Sequence, residues 1–176
     1  MKYPNRTIFQ RFRRGVAVVG VMVLLAPFMP VPTARAASNN YIISDADLFD
    51  GNAMSADRVQ RFLQSQGGYL AGYTLTDNGQ TKRAADVIAD VGREYNLSQK
   101  FFLALLQKEQ SLISDASPTQ NQLDYALGYG CPSSCSAVYR GFGTQLRSAA
   151  KRIRESYLPG LLANGQFNGW GPGITK

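Results

Sequence analysis

Residues 98–113 constrain this chain more than any other stretch. Phe102, Leu105, Leu106, Leu112 and Ile113 recur at intervals of three and four, which predicts one helix opened by Ser98, with a single apolar face. Such a helix is stable only when that face packs on other elements. Glu109 falls inside the stripe, with Leu105, Leu106, Leu112 and Ile113 three or four positions away. An acid in a packed apolar stripe is desolvated, and its carboxyl keeps its proton closer to neutral pH. A general acid needs that state. The other two glutamates lack the setting: Glu155 follows Lys151 and Arg152, and Glu94 stands beside Asp90 and Arg93.

The partner helices are legible in the same terms. Ser55 is a capping residue for a helix to about Gln66, with Val59, Phe62 and Leu63 inward and Gly67-Gly68 as the stop. Leu70–Gly79 reads as a loop. A second helix opens near Thr81, carries Ala84, Val87, Ile88 and Val91 on its apolar face, and ends at Tyr95-Asn96. Ser117-Pro118-Thr119 opens a short piece to about Ala126. Leu127–Gly143 is a Gly-rich structured loop. A last helix, Thr144–Tyr157, buries Leu146, Ala149, Ala150 and Ile153, and Pro159-Gly160 punctuates it. No alternating run is strong enough to build a sheet, so the fold class is mostly α, a single helical domain. The domain spans 55–158. An extended entry segment, 37–54, precedes it, and a Gly-rich tail, 159–176, follows. That tail lacks a closing element, as in a fragment of a longer protein, and it holds the sole Trp, Trp170.

Positions 1–36 have the layout of a cleavable Sec-type signal peptide. A basic start leads to the apolar run Gly15–Met29, then Pro30, Pro32 and the small-x-small pattern Ala34-Arg35-Ala36. The run is short against the roughly 20 residues of a spanning helix. An uncleaved anchor is the second reading, and the only route to a membrane. The expected location is therefore secreted, in the cell wall. Residues 1–37 hold six Lys and Arg and no acid, so the net charge of +7 falls to +1 once they are removed. The mature chain has no basic excess for nucleic acid. About 140 residues suffice for one core, and we expect a monomer.

The chain has no histidine. That excludes His-based triads and imidazole metal sites, and nothing in the sequence suggests a cofactor. Cys131 and Cys135 enclose Pro132-Ser133-Ser134 and, in an exported protein, form a disulfide across a small turn.

One candidate acid, no histidine and many aromatics point to carbohydrate. Tyr69, Tyr73, Tyr125, Tyr129, Tyr139, Phe142 and Trp170 offer stacking faces, and the amides of Gln107, Gln110 and Gln122 offer hydrogen bonds to sugar hydroxyl and acetamido groups.

Leu97-Ser98, the apolar helix and Glu109 resemble the opening helix of the lysozyme-like superfamily, and of bacterial lytic transglycosylases in particular. Glucosaminidase-like domains of exported surface proteins are similar over about Tyr41–Tyr157, at Ile43-Ser44-Asp45-Ala46, Gln107–Ile113 and Leu123–Gly130. The chain departs from the transglycosylase pattern. Gln110 separates Glu109 from Ser111, Leu127-Gly128-Tyr129-Gly130 only echoes the second motif, and the third has no counterpart. The resemblance implies a lysozyme-like fold and an exported enzyme cleaving peptidoglycan glycan strands, as lytic transglycosylase or glycosidase. Glu109 would serve as general acid, then base. A hydrolase would add a second carboxylate about 6.5–9.5 Å away, for which Asp124 is the first candidate and Asp115 the second. Ser111, Gln110, Gln122, Tyr125, Gly128, Tyr129 and Tyr139 are the candidate substrate contacts. The alternative is a non-catalytic cell-wall-binding domain that keeps the groove without turnover.

Overall fold

A computed structural model describes residues 43–166. The expected signal segment, residues 37–42 of the expected entry segment and Trp170 lie outside them. Seven helices follow in order: α1 (Asp45–Leu48), α2 (Ala56–Gln66), α3 (Ala84–Tyr95), α4 (Gln99–Gln110), α5 (Gln120–Asp124), α6 (Phe142–Arg152) and α7 (Leu158–Asn164). One hairpin, β1 (Thr74–Asp77) and β2 (Gln80–Arg83), stands between α2 and α3. The domain is mostly α, as expected.

The central helix is α3. Ala84, Ala85, Val87, Ile88 and Val91 are fully buried, and α3 packs against α2, α4 and α6. Val59 and Leu63 of α2, Phe102 and Leu106 of α4, and Phe142, Leu146 and Ala150 of α6 complete the core. The ends follow capping chemistry. Ser55 Oγ accepts the Arg58 N–H at 3.3 Å, and Gly67 closes α2 in the left-handed region. Asn96, at φ 48°, ends α3 with paired bonds from Asn96 N to Arg93 O and Leu97 N to Gly92 O, a Schellman motif. Ser98 does stand at the N-cap of α4, but without a side-chain capping bond.

The structure corrects several boundaries. The entry segment is not wholly extended: Ser44 caps α1, accepting the Asp47 N–H at 2.9 Å. Phe62 is 36 % exposed rather than inward. Thr81 lies in β2, and α3 begins at Ala84. The expected loop 70–79 is a 3-10 turn, Tyr69–Ala71, running into the hairpin. Asn78 and Gly79 form its turn at φ 50° and 77°, and the left-handed pair matches the strand twist. Thr76 pairs with Thr81, and Asp77 with Gln80.

Two helix ends also differ. α4 stops at Gln110, because Ser111 turns left-handed at φ 57°. Leu112 and Ile113 re-enter the core beyond that turn. Pro159-Gly160 does not punctuate the last helix. A wide π turn at Ile153–Tyr157 joins α6 to α7, and Pro159 sits in the first turn of α7. Proline brings a bulky ring and no backbone N–H, and the wider π turn before it is compatible with both.

Candidate functional site

Each candidate residue has a defined place, and the first correction concerns Glu109. The stripe argument needs Leu112 and Ile113 one turn further along the same helix. With α4 ended at Gln110, the buried face is Gln99, Phe102, Leu103 and Leu106, and Glu109 stands off it. Its side chain is 34 % exposed and pairs with its neighbour, Lys108 Nζ to Oε1 at 2.5 Å. The desolvation expected of a protonated general acid is therefore not met.

The proposed sugar-reading amides hold the domain together instead. Gln110 Nε2 donates to the Tyr125 carbonyl at 3.4 Å. Gln122 Nε2 donates to the Gln110 carbonyl at 3.2 Å and to Asp115 Oδ2 at 3.3 Å, while its Oε1 accepts from the Thr119 N–H in a capping box. These bonds tie the end of α4 to α5. Gln107 Nε2 donates to Ser114 Oγ at 3.0 Å. Ser111 acts through its carbonyl, which accepts the N–H groups of Ser114 and Asp115.

The Gly-rich region is an ordered loop. Cys131 and Cys135 are disulfide-bonded. Tyr129 and Tyr139 meet edge-on, with centroids 4.8 Å apart, and Gly128 sits at φ 63°. The organiser is Gln145 on α6, fully buried and overlooked by sequence reasoning. Its Oε1 accepts the N–H groups of Leu127 and Tyr129 at 3.3 and 2.9 Å. Its Nε2 donates to the carbonyls of Tyr129 and Tyr139 at 3.0 and 2.6 Å. A glutamine at a core position of a predicted helix, beside a Gly-rich loop, was the available signal.

Beside this loop an open cleft of about 470 Å³ lies between the hairpin and the start of α6. Tyr73 stands in its wall. Its ring contacts Tyr69, centroids 5.6 Å apart, and Phe142 edge-on at 5.9 Å. Burial raises the Tyr73 pKa, with further contributions from Asp124 and Tyr69. Asp124 also faces the cleft. Its carboxylate is 14 % exposed, and is engaged by Arg140 at 2.7 Å and by Gln120 Nε2 at 3.0 Å. A carboxylate so occupied is a positioning group more readily than a water-activating base.

The other wall was not anticipated. Asp77, 6 % exposed, accepts two bonds from Arg147, Nη1 to Oδ1 at 2.6 Å and Nη2 to Oδ2 at 2.9 Å. Those bonds hold its pKa below the usual carboxylate range against the opposing effect of burial; the Arg147 and Lys82 charges add to the lowering. Lys82 reaches Asp77 at 3.5 Å and Asp90 at 2.7 Å, and Arg147 reaches Glu94 at 3.4 Å. One network thus joins the hairpin to α3 and α6. Tyr73, Asp124, Arg140, Asp77 and Arg147 all line the one cleft. Tyr129 and Tyr139 line a second hollow of about 430 Å³ with Lys151, Arg152 and Glu155. Among the described residues, no group of three or more His, Cys, Asp and Glu could hold a metal ion, and no helix is long and apolar enough to cross a membrane.

The family model for the LasA N-terminal domain matches residues 41–160, the whole of this architecture up to α7. The chain belongs to that family. LasA itself is a secreted staphylolytic peptidase, so the family is one of secreted, cell-wall-related proteins. No curated protein and no solved structure matches the chain.

Proposed function

We propose that this domain binds the glycan of the bacterial cell wall outside the cytoplasm, and that the cleft between the hairpin and α6 is its binding site. The observation that carries this reading is the wall of that cleft. Tyr73 sits between Tyr69 and Phe142, and the ion-paired carboxylates of Asp124 and Asp77 flank it. Aromatic rings present apolar faces to the C–H surface of a pyranose, and fixed polar groups read its hydroxyls. Membership of a secreted, cell-wall-related family supports peptidoglycan as the polymer to test. The binding reading is preferred to cleavage because Glu109 is paired with Lys108 and is not among the residues that line the cleft.

The test is co-sedimentation of the purified chain with insoluble peptidoglycan, with mass analysis of anything released. Binding should saturate, fall several-fold in Tyr73→Leu and Asp124→Asn, and stay unchanged in Glu109→Gln. Release of anhydro-muropeptides or new reducing ends, abolished in Glu109→Gln, would replace the binding reading with the enzymatic one. Binding equal in all variants would remove the cleft from consideration.

A further inference from the structure

A second surface, lined by α2 and α4, is independent of the glycan reading. Between α2 and α4 runs an apolar groove of about 630 Å³. The helices lie side by side in the same direction. At their starts, the Met54 N–H donates to Gln99 Oε1 at 2.9 Å. At their ends, Gly68 abuts the Ile113 carbonyl, and the Tyr69 N–H donates to the Asp115 carbonyl at 2.8 Å. Arg58, Phe62 and Gln66 form one wall at successive turns. Lys100, Leu103, Ala104 and Gln107 form the other. Each stripe is about two turns, or roughly 10–12 Å, long.

The polarity of the groove is ordered. Its middle is apolar: Phe62, exposed to 36 %, lines it together with Leu103 and Ile113. Both its cations, Arg58 and Lys100, are at the end where α2 and α4 begin, and neither side chain has a partner among the described residues. The N-termini of two helices add partial positive charge there. The opposite end offers only neutral groups, Gln66, Gln107 and Ser114. α3 packs against both walls, so among the described residues the arrangement is a layer of helices with one place open.

We infer that this groove receives an amphipathic helix of a partner protein, about three turns long and antiparallel to α2 and α4. Its apolar residues recur at i, i+4 and i+7, and its C-terminal end is acidic. Helix-in-groove docking needs this apolar spacing. The antiparallel sense places the negative end of the incoming helix, with its carboxylates, over Arg58 and Lys100. An anionic lipid surface would use the same cations but not the spacing or the direction.

The probe is a fluorescent Ala-based peptide of 14 or so residues, with leucines at that spacing and two glutamates at its C-terminus, titrated with the purified chain by anisotropy at low salt. Moving the glutamates to the N-terminus, or scrambling the leucines, should weaken binding about ten-fold. Arg58→Glu with Lys100→Glu, both exposed positions, should do the same to the first peptide and restore binding to one ending in lysines. Phe62→Ser should weaken every peptide. Equal binding of the direct and scrambled peptides, no binding at millimolar protein, or charge-dependent capture of anionic phosphatidylglycerol vesicles in place of peptide would each overturn the inference.

Discussion

Gln145 shows how much one side chain decides in this domain. It is fully buried and satisfies two backbone N–H groups and two carbonyls of the loop that carries Tyr129 and Tyr139. Each buried group left unpaired costs about 1–3 kcal/mol. Gln145→Leu is therefore expected to lose at least about 4 kcal/mol in urea unfolding and to release the Tyr129–Tyr139 contact, visible in near-ultraviolet circular dichroism. Asp77 gives a pH signature. Its pKa is lower folded than unfolded, chiefly through Arg147. Its contribution is thus present above the unfolded value of about 4 and is lost as pH falls through the folded value. Asp86, lowered by Arg83, acts in the same direction. Stability should decline below about pH 4, less steeply in Asp77→Asn, as urea midpoints at pH 7, 4 and 3 will report. Arg147→Ala should cost about 3 kcal/mol at pH 7, since it strands a buried carboxylate. Neither partnership was legible in the sequence, because Asp77 and Arg147 lie 70 positions apart and no local pattern links them. Glu109 was legible as a position and misread as an environment. The same spacing continues across residue 111 whether or not the helix does.

At the scale of elements, capping residues and apolar spacing located α2, and the apolar face and C-terminal end of α3, closely, because those signals are local and consistent with the packing. The hairpin was the miss. Asn78-Gly79 is a strong short-range turn signal, but the strands it joins, Thr-Leu-Thr-Asp and Gln-Thr-Lys-Arg, carry too few apolar residues to show alternation. Their order comes from the turn and from ion pairs to α3 and α6. Gly79→Ala is accordingly expected to destabilise by about 1 kcal/mol, because Gly79 is at φ 77°, with the change read from thermal unfolding. Pro159 failed as a punctuator for a complementary reason. A breaker ends a helix only where the preceding turn cannot adjust, and here it follows a π turn.

At the scale of the molecule, the mostly α class was legible because at this length helices that bury one face of a common core leave little room for other architecture. The cleft was half legible. Tyr73 and Asp124 were named from composition and resemblance, while the opposing wall of Asp77 and Arg147 depends on the hairpin. The disulfide is expected to be a modest staple. It closes a loop of five residues, for which chain entropy gives about 2 kcal/mol at most, and Gln145 with the Ser136-to-Gly130 backbone bond already holds the same loop. Reduction, or Cys131→Ser with Cys135→Ser, should lower the urea midpoint slightly and leave far-ultraviolet circular dichroism unchanged. A two-stranded ribbon at a protein surface ordinarily flaps. Here its tip is moored by Arg147 at the mouth of the cleft, and strong acid, which neutralises Asp77, is what slackens it.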